Sequence, residues 1–336
     1  MLRRLVADGR RPVVGLARDG ARADAIRAAG AEIRMAYFED EESLRRALAG
    51  AGPVFLSIPL GSPTATVRDR GRRAIAAARG AGVAGPVVFN TGTRIPPEPT
   101  EVDAFEEKRE VEDALAASGL SFVSLRPSFY FGNLAGPWTA PGIVDEGVLA
   151  YPLPRALRAS WIGWDGMAAL VAAAMERPAL LGRRIDIGGP EMLDADALAA
   201  RLGAALGRPV SYQPIPPDAF EAGLAAAIGP EAARSVGALY RWISARPETG
   251  LFTTDGEALG RSSRRHWRRS PNGPPTTLGR RRLRRVWREG AGDAKHPFPS
   301  PPSDAAWRSR GDGGVSARRI GGGGRRPGPA GWTPLR

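Results

Sequence analysis

Short apolar runs alternate with longer stretches of helical periodicity through the first 190 or so residues, and this alternation leaves few architectures open. Pro12–Ala17, Ala31–Met35, Val54–Ile58, Val87–Asn90, Phe122–Leu125 and Arg184–Ile187 read as strands. Strands separated by amphipathic segments make parallel pairs joined by crossover helices, so the expected fold class is α/β, a doubly wound parallel sheet. The punctuation agrees with it. Ser62 before Pro63, Asp194 with Gly207 beyond it, and Thr100 ahead of the segment containing Lys108 read as helix-terminal signals. Asp165 reads as the N-cap of a helix whose Met167, Leu170, Val171, Ala174 and Met175 recur at helical spacing as a buried stripe.

Composition then removes whole classes of chemistry. The chain has no cysteine, and its two histidines, His266 and His296, both lie beyond residue 260. Disulfide scaffolds, thiolate nucleophiles, Ser-His-Asp catalysis and His- or Cys-ligated metals are therefore excluded from the first 260 residues, and no metal is expected. No run approaches the roughly 18 apolar residues of a membrane span, and MLRRLVADGR lacks the apolar stretch of a signal peptide, so a cytoplasmic protein with no membrane partner is expected.

The net charge of +13 is unevenly placed: residues 261–336 carry 19 Lys and Arg against 4 Asp and Glu. The same 76 residues hold 23 Gly and Pro but only 7 Leu, Ile, Val and Phe, too little apolar surface to offset chain entropy. A disordered basic tail is expected. Its RRRLRRVWR at 280–288, near Trp267 and Trp307, has the composition of a nucleic-acid arm. The dominance of Arg, Gly, Pro, Ser and Trp also matches a GC-rich gene read in a shifted frame, and the nucleic-acid reading is the weaker of the two.

Leu2, Leu5 and Val6 share one helical face, Gly9 follows as a stop, and the first strand starts at Pro12. In a right-handed βαβ unit a strand precedes the helix, so the fold's first strand and the glycine turn after it are expected ahead of this helix. The G-x-G-x-x-G spanning Gly80, Gly82 and Gly85 has the reverse context, following a helix and preceding a strand. It reads as an ordinary turn, because a phosphate loop must leave a strand and open a helix.

Six segments, in order, resemble the NmrA-like, atypical branch of the short-chain dehydrogenase/reductases: PVVGLARD (12–19), AGAEIRMAYFEDEESLRRAL (29–48), VFLSIPLG (54–61), VVFNTGTR (87–94), KREVEDALAASGLSFVSLRPSFYFGNL (108–134) and GRRIDIGGPEMLDADALAARL (182–202). The resemblance implies a Rossmann-like NAD(P)-binding domain over residues 1–150, a small C-terminal lobe over 151–260, and the basic tail over 261–336. It implies an NAD(P)H-dependent oxidoreductase acting on a small carbonyl, enone or quinone. The alternatives are a non-catalytic NADP(H) redox sensor with a regulatory protein partner, and a non-functional remnant. Without the first strand and its glycine turn, the cofactor is expected to be held weakly.

Arg18 ends the second strand of such a fold, where a guanidinium pairs with a 2′-phosphate; it therefore favours NADP(H) over NAD(H), whereas pairing with the adjacent Asp19 is the structural alternative. Tyr37 and Phe38 stand near the adenine position. Ser57, Ile58 and Pro59 and then Asn90 and Thr91 end strands at the carboxyl edge, where open α/β sheets bind ligands. Ala104 stands where a typical short-chain dehydrogenase has its catalytic Tyr four residues before Lys. Lys108 is the only lysine before residue 261 and matches the family's Lys; it reads either as a catalytic and cofactor-binding donor with Thr91, or as a surface cation paired with Glu112. Phe129, Tyr130, Asn133 and Trp138 follow the sixth strand as candidate substrate residues, with a plug between lobes as the alternative for the aromatics.

Overall fold

A computed structural model describes residues 1–58 and 64–254, so Pro59, the Ser62 cap and the basic segment 261–336 lie outside the described residues. In chain order the elements are α1 (Leu2–Asp8), β1 (Val14–Ala17), α2 (Gly20–Ala28), β2 (Glu32–Met35), α3 (Glu41–Leu48), β3 (Val54–Ser57), α4 (Thr64–Gly80), β4 (Val87–Asn90), α5 (Asp103–Ala117), β5 (Phe122–Pro127), β6 (Phe129–Tyr130), β7 (Val148–Tyr151), β8 (Ala159–Ile162), α6 (Trp164–Glu176), β9 (Arg184–Ile187), β10 (Met192–Leu193), α7 (Ala195–Leu206), β11 (Ser211–Pro214), α8 (Pro217–Ile228) and α9 (Pro230–Ser244). All six expected strands are present, within two residues at each end.

The α/β architecture follows from the alternation of side chains along the strands. β3, β4, β5 and β9 form a parallel sheet in that order, with Ser57 beside Asn90 and Asn90 beside Leu125. Val87 and Phe89 pack with Leu44 of α3, Ile75 and Ala78 of α4, and Val111 and Leu115 of α5. Val88, Val123 and Leu125 point the other way, onto Met167, Val171 and Ala174 of α6. Both faces are thus covered by helices, which is why these strands read as continuous apolar runs. Gly71 lets α4 and α5 approach closely, since a Cβ there would sit 2.4 Å from Val111. β1 and β2 form a separate parallel pair. β1 and β3 are not hydrogen-bonded to each other, and a cavity of about 1110 Å³ lies between them.

The remaining strands were not anticipated. β6, β8 and β10 form one small sheet and β7 with β11 another. Around them α7, α8 and α9 enclose an aromatic core of Phe129, Tyr151, Trp161, Phe220, Tyr240 and Phe252. The Tyr151 and Tyr240 hydroxyls meet at 2.5 Å inside it.

The helix signals held at α7 and shifted at α5 and α6. Asp194 accepts Ala197 N at 2.8 Å, and Gly207 closes α7 at φ 68°. Asp194→Ala is expected to cost about 1 kcal/mol, read as a fall of roughly 2–4 °C in Tm by thermal melt. Thr100 does not cap α5, whose N-cap is Val102. The reason is local: the Glu106 carboxylate reaches back to accept Thr100 N and Oγ1, each at 2.9 Å, and Thr100 Oγ1 in turn accepts Val102 N at 3.2 Å. Asp165 likewise lies inside the first turn of α6 behind the N-cap Gly163, where a carboxylate complements the helix dipole.

Candidate active site

The carboxyl ends of β3, β4 and β6 converge on Asn90. Its buried amide is oriented by three partners: Oδ1 accepts Gly92 N at 3.1 Å and the Tyr130 hydroxyl at 3.0 Å, and Nδ2 donates to Ser57 Oγ at 3.2 Å. Parallel register brings Ser57 and Asn90 level, and β6 follows β5 after a single residue, so three polar side chains meet at one sheet edge. Burial pushes the Tyr130 hydroxyl up, against the smaller effect of the Asn90 hydrogen bond. Trp164, at the start of α6, stacks on Tyr130 at 4.9 Å while remaining 58% exposed.

Lys108 approaches the same edge from α5. Ala104, Phe105, Val111 and Leu115 form the buried stripe of this helix, and Glu107, Lys108 and Glu112 fall within it. Lys108 is fully buried, donates from Nζ to Ile58 O at 2.8 Å, and stands 3.7 Å from Glu107. Burial pushes its ammonium down to about 8, opposed by the Glu107 charge. Burial also pushes the Glu107 carboxyl up to about 7, opposed chiefly by Lys108. Neither Glu107 oxygen has a hydrogen-bond partner among the described residues. The pairing of Lys108 with Glu112 is not what the structure shows. Glu112 instead accepts Arg126 Nε at 3.0 Å and lies 3.2 Å from Arg184, tying α5 to β5 and β9.

The NmrA-like family model matches residues 1–250. The chain belongs to the NmrA-like family. Among curated relatives, this NmrA-like protein is 28% identical over 265 residues to the NAD(P)H azoreductase of Xenophilus azovorans, covering 78% of this chain and 89% of that one. It is 30% identical over 252 residues to a (4-alkanoyl-5-oxo-2,5-dihydrofuran-3-yl)methyl phosphate reductase of Streptomyces griseus, covering 72% and 83%. Its fold is shared with the Escherichia coli NADPH-dependent quinone oxidoreductase solved with NADPH, at 23% identity and TM-score 0.57, covering 78% of this chain and 95% of that one.

The other candidate residues of the NmrA-like chain divide by location. Arg18 is exposed at the end of β1, 3.4 Å from Asp19, which caps α2 by accepting Arg22 N at 2.8 Å. Tyr37 is exposed, and Phe38 is half-buried with the Arg70 guanidinium 5.9 Å above its ring. Ile58 is buried and holds Lys108 through its carbonyl. Thr91 adjoins Asn90, but its fully buried hydroxyl lies 2.6 Å from Thr93 O and 3.2 Å from Leu125 O, committed to the backbone. Phe129 is buried in the aromatic core, stacked on Phe252 at 4.5 Å and Trp161 at 5.1 Å, the plug arrangement. Asn133 and Trp138 are half-buried.

Glu107 and Trp164 were missed in the sequence reading. The helical phase of α5 carries a signal for the first, because positions 107 and 108 both fall between Ala104 and Val111 on the buried stripe. For the second there was only the proximity of WIGWDG to a helix start. Among the described residues no group of three or more His, Asp or Glu could hold a metal ion, and no helix is long and apolar enough to cross a membrane.

Proposed function

We propose that this NmrA-like protein is an NAD(P)H-dependent reductase acting on a small carbonyl, enone or quinone, with residues 1–150 holding the cofactor and 151–260 forming the lobe that closes on it. The observation that carries the reading is the buried Lys108 ammonium, anchored on Ile58 O at the sheet edge where Ser57, Asn90 and Tyr130 converge. Reductase relatives support it.

The residues present fit a nicotinamide dinucleotide at both its ends. A desolvated ammonium and a fixed amide and hydroxyl suit ribose hydroxyls and a carboxamide, and the exposed Arg18 guanidinium suits a 2′-phosphate. The nicotinamide, when bound, supplies the hydride; the acceptor gains that hydride and one proton, a two-electron reduction. The protein's part is to bind and orient. Lys108, held by Ile58 O, is a compact donor whose position is set before any ligand arrives. Asn90 keeps Ser57 and Tyr130 in place, and Tyr130 with Trp164 offers an aromatic wall to a planar acceptor. Thr91 shapes the loop after β4 through its backbone contacts.

Cofactor choice is carried by Arg18. Arg18→Ala is expected to raise the KM for NADPH about 10-fold or more, the loss of a hydrogen bond to a charged group, with the KM for NADH changing little. Oxidation of NADPH and NADH, followed by absorbance with quinone, enone and azo acceptors, tests the whole reading. Acceptor-dependent oxidation is expected. Retained NADPH binding with no oxidation across the panel would leave the redox-sensor reading in its place.

A further inference from the structure

Hydrogen-bond direction is forced along the groups that meet at Asn90, because one of them has no choice. Gly92 N is a backbone amide and can only donate, so the Asn90 atom 3.1 Å from it is the oxygen, Oδ1. The Tyr130 hydroxyl reaches the same oxygen at 3.0 Å and therefore donates as well. Burial holds this hydroxyl above its ordinary value, so it stays protonated and remains a donor at working pH. With Oδ1 fixed, Nδ2 is the Asn90 atom that faces Ser57, and it donates to Ser57 Oγ at 3.2 Å. Ser57 is thus an acceptor towards Asn90, and its own hydrogen must point elsewhere.

Burial says which end of this chain of groups a ligand meets. Asn90 and Tyr130 are both buried, whereas Ser57, the last residue of β3, is half-buried. Alternation puts Ser57 on the same face of β3 as Phe55, and Phe55 packs in the cluster that also holds Tyr130 and Met167 of α6. Trp164 lies on that face too, stacked on the Tyr130 ring with 21° between the planes. Its indole is held in place as well as open: a Cβ on Gly132 would sit 2.5 Å from Trp164 Nε1, so the segment after β6 packs directly against the ring edge. Ser57 and Trp164 are therefore the members of this group that solvent reaches most, and Ser57 brings the hydroxyl hydrogen that the others have turned away from Asn90.

We propose that Ser57 is a fixed hydrogen-bond donor to a carbonyl oxygen of the bound ligand, with Gly92 N, Tyr130 and Asn90 as the positioning groups that turn its hydrogen outward. Donor polarity sets the ligand chemistry, an oxygen that accepts; where that oxygen gains charge as a carbonyl is reduced, a donor aimed beforehand has its largest effect. Two molecules of the proposed reaction carry such an oxygen, the reducible acceptor and the nicotinamide carboxamide. The inference rests on the reductase reading for these ligands and adds to it a direction, assigning the Asn90 amide and the Tyr130 hydroxyl to the orientation of Ser57.

Ser57→Ala, Asn90→Asp and the double variant test it in the full chain. Asn90→Asp keeps the size of the side chain and the acceptor for Gly92 N and Tyr130, but replaces the Nδ2 donor by a second acceptor oxygen, which draws the Ser57 hydrogen inward. The readouts are the Kd of NADPH by fluorescence, the Kd of cyclohexenone for the NADP+-loaded protein, where no hydride is available, and kcat/KM for cyclohexenone reduction. If the acceptor supplies the oxygen, Ser57→Ala raises the cyclohexenone Kd about 2- to 12-fold and lowers kcat/KM about 100-fold or more, while the NADPH Kd holds. If the carboxamide supplies it, the NADPH Kd rises by about 2- to 12-fold and the cyclohexenone Kd holds. In either case Asn90→Asp reproduces the loss, and in the Ser57→Ala background it adds less than about 3-fold. Ser57→Ala or Asn90→Asp with parental values for all of these overturns the proposal. So does a double variant whose loss is the product of the single losses, since Asn90 then acts on the ligand itself. A parent chain that binds neither NADPH nor cyclohexenone overturns the reductase reading and this one with it; a parent that binds and turns over, matched by Ser57→Ala, overturns this one alone.

Discussion

Lys108→Met is expected to lower kcat/KM for NADPH-dependent reduction by about 10- to 150-fold, the worth of a hydrogen bond from a charged donor, with the fold retained. Methionine has a similar length and suits a fully buried position, so packing survives while the charge and the donor to Ile58 O are lost. The same group sets the pH dependence. Lys108 is pushed down to about 8, and the ammonium is the useful form, so kcat/KM is expected to fall as pH rises through about 8. Glu107 holds that value up by its charge, and Asp103 and Arg68 act on Glu107 in turn. Glu107→Gln therefore moves the fall to lower pH. A purely structural Glu107 would change stability and leave the profile where it was.

The pair also leaves a signature in stability, and its two halves have opposite signs. The folded-state value of Lys108, about 8, is below the ordinary 10.5, so the unfolded chain holds more protons between those limits and stability rises with pH across that window. Glu107, raised to about 7 from 4.5, makes the folded chain hold more protons between those values, so stability falls as pH rises across them. Melts of Lys108→Met across pH 8–10 should lack the rise, and melts of Glu107→Gln across pH 5–7 should lack the fall.

What the sequence disclosed depended on whether the deciding contact was local. Val87–Asn90 and Phe122–Leu125 are legible because strands covered on both faces read as near-continuous apolar runs, interrupted here only by Asn90 and Ser124. Asp194 and Gly207 are legible because a cap acts on backbone three or four residues away. By contrast, β6 and β10 are two residues long and exist through pairing with β8, which no periodicity can display. The placement of Asn90 at the carboxyl edge was foreseeable, but its role as a hub was not, since Tyr130 arrives from 40 residues away. Lys108 drew notice by its rarity among arginines; its burial required the phase of α5 against α4 and the sheet. Phe129 and Tyr130 are neighbours in sequence with opposite fates, because alternation along β6 sends one ring into the aromatic core and the other to the Asn90 edge.

Arg94→Met is expected to destabilise the fold by about 3–5 kcal/mol, the cost of breaking a buried charged network from one side. Arg94 is only 3% exposed, and burial pushes its guanidinium down from the ordinary arginine value. Nη1 donates to Leu251 O at 2.8 Å and to Thr253 O; Nη2 donates to Ile187 O at 3.3 Å and to Thr254 Oγ1 at 2.5 Å. One planar fork thus ties the end of β9 to the turn Gly250–Phe252 and the two residues after it. That turn seats Phe252 against Phe129, and Phe252 O accepts Ser128 Oγ at 3.1 Å. Methionine fills the volume but leaves the Leu251 and Thr253 carbonyls without the Arg94 donor, each costing about 1–3 kcal/mol, while Ile187 O keeps Ser128 N; removal of a buried charge offsets part of the loss. At roughly 2–4 °C per kcal/mol for a chain of this size, Tm should fall by about 6–20 °C. Arg94→Lys should fall between the two, since one ammonium cannot reach acceptors on both segments at once. Arg94 is four residues beyond Asn90, so the loosened loop should also raise the KM for NADPH before the chain unfolds. A methionine variant that melts within 2 °C of the parent would mean that Phe252 and its neighbours hold the turn in place unaided.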